Sequence, residues 1–218
     1  MLRMTHSVLS ILVVISLLFT WTVAPAHSQA AVPNPAKVAE LKMALRDLYL
    51  NHIFWVRSLV VSTRLGDKAA AMEADEYGLK NAKAIGQSIA PFYGKAAADK
   101  FATLFVGHYS AVKSYMTAGF ANNFKGNPSL KKAAVDRLMK NADEIAVFVS
   151  SANPNLPKGT VFGLLLTHGQ QHVMSIDATA KKEWGREADM WDPMVKHIYA
   201  ISDALADGIA KQFPDKVE

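Results

Sequence analysis

His168 and His172 stand four residues apart in the stretch LLLTHGQQHVMSID, residues 164–177. At that spacing two imidazoles project from the same face of a helix, and here the face is otherwise apolar. Imidazole is a ligand for Zn, Cu, Ni and Fe, so the pair is the first candidate for metal chemistry. Five histidines follow residue 30: His52, His108, His168, His172 and His197. The first four fall on apolar helical stripes, and His197 flanks the stripe of Met194, Ile198, Ile201 and Leu205.

A metal site in a bundle core takes ligands from facing helices. Asn81 and Asn141, in the middle of two further stripes, could orient the ring N–H groups of such ligands, with Asp192 as a third outer partner. The competing expectation is a polar core layer. Histidines and asparagines would then bond one another, Tyr77, Tyr115 or buried water.

Sharper motifs are absent. HGQQH has the spacing of a zincin helix, but Gly169 stands where the general-base glutamate belongs. No Glu-x-x-His occurs, which argues against a ferritin-like di-iron site. There is no phosphate-cradling glycine loop and no nucleophile elbow. Asp143 and Glu144 read as surface charges. Met174, Met190 and Met194 could offer soft ligands to Cu(I), and at helical spacing they also suit core filling. No reaction is assigned, and no catalytic residue.

The elements that must position these residues are helical throughout. The chain has 218 residues, half of them hydrophobic, and no cysteine. Without cysteine there is no disulfide, no thiolate metal site and no covalent c-type haem. Residues 1–30 read as a signal peptide: a basic start with Arg3, an apolar run and a small-residue cleavage segment ending near Ala30. The expected mature protein, residues 31–218, is a single exported domain, periplasmic or secreted, with no membrane span once the signal is removed. The formal charge of +5 falls to about +4 without Arg3, and its lysines are scattered rather than clustered, which argues against nucleic acid as a partner.

Periodicity predicts an all-α, up-and-down bundle of five to six helices. Helix one covers about 36–64, with Leu41, Leu45, Leu48, His52, Trp55 and Leu59 inward. Helix two covers about 68–90, with Tyr77, Asn81 and Ile85 inward beside a small-residue face of Ala74, Gly78, Ala82 and Gly86. Helix three spans about 95–120, four about 129–150 and five about 160–182. The last ends near Phe213, and either starts at Pro193 with Asp192 as its cap or kinks there from Gly185. No internal repeat is visible at a fixed period. At about 1.5 Å per residue, His52, His108, His168 and His197 lie roughly 12–24 Å from the relevant helix ends, so alternating helices place them in one middle layer.

Four segments, LRDLYLNHIFWVR, NAKAIGQSIAPFYG, NADEIAVFVSSANPN and DGIAKQFPDK, resemble a group of exported bacterial helical-bundle proteins that carries no assigned activity. The resemblance spans nearly the whole mature chain. It implies that His52 with Trp55, His108, His168 with Trp184, and Asp192 with His197 are motif positions. Asn51 replaces the usual acidic residue, His172 is an addition, and Val195 replaces a common second histidine. Three functions are carried forward. The first is binding, storage or sensing of a transition metal, with Cu or Zn ahead of Fe. The second is a module for a small organic ligand or non-covalent haem, lined by Trp55, Tyr77, Phe101, Phe105 and Tyr115. The third is an envelope interaction protein with structural histidines.

Overall fold

The computed structural model describes residues 32–217. The expected signal peptide, residues 1–30, lies outside them. Among the described residues there are eight α-helical segments and no strand: α1 (Pro35–Leu65), α2 (Lys68–Gln87), α3 (Ala90–Tyr93), α4 (Lys95–Phe124), α5 (Pro128–Ala152), α6 (Lys158–Ala180), α7 (Trp184–Asp189) and α8 (Trp191–Gln212). The fold is an all-α bundle of six long helices, with α3 and α7 as single-turn connectors. None of these helices is long and apolar enough to cross a membrane.

Local chemistry sets the ends. The side chain of Asn34 accepts from the Ala36 amide ahead of α1, Asp67 from Ala70 ahead of α2, and Asn127 from Leu130 ahead of α5. Each satisfies an amide that the helix leaves unpaired. Gly66 closes α1 with φ of 81°, a left-handed conformation that glycine adopts without a Cβ penalty. α4 keeps helical angles to its expected end near Phe120; Ala121 leaves them, and Asn122 and Asn123 take left-handed angles that turn the last residues away. The last helix begins at Trp191, so Pro193 sits within its first turn, where its missing N–H leaves no intrahelical bond unmade. Asp192 is therefore a first-turn acid and not the cap expected from sequence.

The long helices form a closed ring of neighbours in the order α1, α2, α4, α5, α6, α8 and back to α1, and α6 also packs against both α1 and α4. Three hairpins, α1–α2, α4–α5 and α6–α8, make up this ring. Its α2–α4 seam is close because small residues line it: Gly78 lies under the Tyr109 ring, and a Cβ on Gly86 would run into the Ala102 backbone. Tyr77, expected inward, is 44% exposed and stacks on Trp55 with ring centres 5.0 Å apart. The small-residue face took the interior, since only it allows the two backbones to approach. Backbone cannot yield as a side chain can, so Gly86→Ala is expected to cost about 1–3 kcal/mol. An unchanged urea midpoint would show that α2 and α4 can part freely.

Candidate metal centre

His52 on α1, His108 on α4 and both His168 and His172 on α6 meet inside the ring, each at most 3% exposed. These are the three helices brought together by the inward position of α6. Ring centres of His52 and His108 are 5.8 Å apart, those of His52 and His168 5.7 Å, and those of His108 and His168 5.8 Å. The triangle is nearly equilateral. His172 joins at one side, with its ring centre 4.4 Å from His168 and 5.7 Å from His52.

The triangle has a structural cause. In each hairpin the histidine follows a leucine by four residues: Leu48 and His52, Leu104 and His108, Leu164 and His168. A polar side chain from the hairpin's second long helix bonds that leucine's carbonyl. Asn81 donates to Leu48 at 2.9 Å, Asn141 to Leu104 at 3.0 Å, and His197 Nε2 lies 2.9 Å from the Leu164 oxygen. Segments LKNAKAI (79–85) and MKNADEI (139–145) carry the first two of these donors. Among the described residues one leucine–histidine–donor arrangement thus recurs in three hairpins, without a fixed period. Unequal intervals hide it: the histidines lie 56 and 60 residues apart (52 to 108, 108 to 168).

The repeat separates the candidate residues. His197 occupies the asparagine position of the third unit, is only partly buried, and uses Nε2 as a donor to a carbonyl. The structure does not bring it into the triangle. Asn81 and Asn141 are buried against the triangle's helices, but they brace backbone carbonyls and leave their own Oδ1 atoms unpaired. Asn141 also stands close enough to favour protonated His108 slightly. Asp192 is exposed and has no part in the cluster.

Of the methionines considered as soft ligands, Met194 is buried beside His172, Met190 borders the same small space, and Met174 is 46% exposed. The two tyrosines of the polar-layer expectation are engaged elsewhere, Tyr77 with Trp55 and Tyr115 with Asp177 at 3.0 Å. Phe101 and Phe105 pack edge to face around a separate small cavity with Tyr49. Asp143 forms an ion pair with Lys158 at 2.7 Å, and Glu144 faces Lys140.

Electrostatics keep the four imidazoles neutral. Burial, followed by the charges of neighbouring histidines, holds His52 and His168 well below the usual imidazole range. Burial lowers His108 to about 4, and burial with the His108 charge lowers His172 to about 3. Glu187, which shares a small space with His172, is paired with Arg57 at 2.6 and 2.7 Å.

Neutral imidazole has one donor and one acceptor nitrogen. Both ring nitrogens of His52, both of His108 and Nδ1 of His168 are buried without a partner. Each such group costs roughly 1–3 kcal/mol if left unmet, which makes this a poor arrangement for a purely structural layer. The one hydrogen bond within the cluster joins His168 Nε2 and His172 Nε2, at 3.1 Å. Two nitrogens bound at 2.0–2.1 Å to a tetrahedral ion would lie about 3.3 Å apart. His52, His168 and His172 each offer a nitrogen within 4.8 Å of the others; His108 stands outside that group, its ring centre 5.8 Å from those of His52 and His168. The nitrogens of His52, His168 and His172 could close round a transition ion with changes of up to about 1.5 Å in their separations. No protein-family model, curated protein or solved structure matches the chain.

Proposed function

We propose that this protein is an exported helical bundle that binds one transition-metal ion through His52, His108, His168 and His172, in a binding, storage or sensing role. Cu or Zn is favoured over Fe, because the set is all imidazole and lacks the carboxylate that stands beside two histidines in non-haem Fe(II) sites. The neutral state of the rings supports the reading, since ligation needs free lone pairs. The observation that carries it is the buried triangle of imidazoles, five of whose six ring nitrogens have no partner. The exported location rests on the leader-like residues 1–30.

Elemental analysis of the mature protein, purified without a histidine tag, tests this directly. Near-stoichiometric Cu or Zn is expected, lost in both His52→Ala and His168→Ala. A protein that carries no metal and retains none after incubation with Cu or Zn would overturn the proposal.

A further inference from the structure

The threefold use of one hairpin creates three seams between successive units: α2 with α4, α5 with α6, and α8 with α1. The residue after each histidine points to such a seam. In the second unit it is Tyr109, packed over Gly78 of α2. In the first it is Ile53, fully buried beside Met194 of α8. In the third it is Gly169, and a Cβ built there would meet nothing within 4 Å. Two seams are therefore filled and one is open. The α5–α6 seam holds a cleft of about 470 Å³, within the range of small-molecule sites.

We propose that this α5–α6 cleft binds a small uncharged molecule of two or three apolar rings that carries one hydroxyl group for His108. The walls come from Val135, Leu138 and Ala142 on α5 and from Leu165, Leu166 and Val173 on α6, and no charged residue lines the cleft. A charged ligand would lose its hydration there without compensation. His108 lies at the inner end, 3% exposed, with both ring nitrogens unpartnered. It is the one buried polar group that a ligand hydroxyl could meet. Half-exposed Met139 and Met174 stand at the rim, where flexible thioethers adapt to an apolar guest. Volume also sets the size, since a dry cavity of about 150 Å³ already holds benzene. The inference does not depend on a bound metal.

Fluorescence titration of the full mature protein, metal-free and Zn-loaded, with 2-naphthol tests it, with naphthalene and 2-naphthoate as comparators. Saturable binding of 2-naphthol to the metal-free protein is expected, with 2-naphthoate much weaker. Loss of the hydroxyl, or His108→Leu, should weaken binding by about 3- to 10-fold, the worth of one hydrogen bond. Gly169→Tyr, which restores the filling side chain of the second unit, should reduce binding by more than about 10-fold while keeping the thermal midpoint, because replacing a mid-helix glycine favours the helix. Val173→Trp provides a second plug should Gly169→Tyr fold poorly. Undiminished binding in both plugged variants, or equal binding of 2-naphthoate, would overturn the proposal. Metal content is read separately, so a failure of the metal site leaves this outcome distinct.

Discussion

Replacing His168 with alanine is expected to lower the affinity for Zn or Cu by more than about 100-fold. A partner that merely orients a ligating histidine is worth 10–100-fold, and His168 would be a ligand itself. Its ring contacts those of His52, His108 and His172, and only with His172 does its Nε2 come within hydrogen-bond distance of another imidazole. Because His52, His108 and His168 occupy the same position of three repeated hairpins, His52→Ala and His108→Ala should cause losses of similar size. His172 has no counterpart in the other two units, where the equivalent positions are Val56 and Val112. His172→Ala leaves three nitrogens, and water can take a fourth place, as it does in open zinc sites. That variant should lose only about 10-fold. Competition against a chromophoric chelator gives all four values. If His108→Ala bound normally and His172→Ala did not bind, the ion would belong to His52, His168 and His172, and the threefold triangle would be structural.

Acid is expected to unfold the metal-free protein between about pH 6.5 and 4. An unfolded histidine titrates near 6.5, whereas the folded His108 and His172 are lowered to about 4 and about 3, and His52 and His168 lie well below normal. Within that window the unfolded chain takes up protons that the folded chain refuses, so stability is intact above about pH 6.5 and falls as pH drops. At pH 5 His108 and His172 would each forfeit about 2 kcal/mol, and His52 and His168 act in the same direction. Whole-domain stability is typically 5–15 kcal/mol, so the loss is a large share of it. Circular dichroism across pH 7 to 4 should show a steep transition that Zn displaces to lower pH by mass action. A flat stability profile from pH 7 to 5 would refute the neutral buried cluster. Burial also moves the expected acid loss of metal below the pH of about 6 that free imidazoles would imply. The folded ligands stay neutral until the fold itself gives way.

The long helices were legible in the sequence because apolar periodicity is local: the predicted spans of about 36–64 and 160–182 lie within a few residues of α1 and α6. The inward placement of His52, His108, His168 and His172 was legible for the same reason, since a stripe defines a helix face whatever lies opposite. Tyr77 was misplaced inward because a glycine face looks weak on a hydrophobicity scale, yet only such a face lets α2 and α4 approach. The repeat went unseen because little more than a leucine, a histidine and a distant donor identify each unit, at unequal intervals.

Which histidines meet was a matter of tertiary structure alone. His197 shares the apolar surroundings of the others, but its partner is the Leu164 carbonyl, and a sequence does not state which carbonyl a ring nitrogen will face. The open seam beside Gly169 was equally invisible, because a glycine shows as a gap only once its neighbouring helix is in place. Sequence determined the helices and the faces they bury, through interactions that span a few residues. Packing of the three hairpins decided the triangle and the cleft, because both are built from side chains that lie dozens of residues apart.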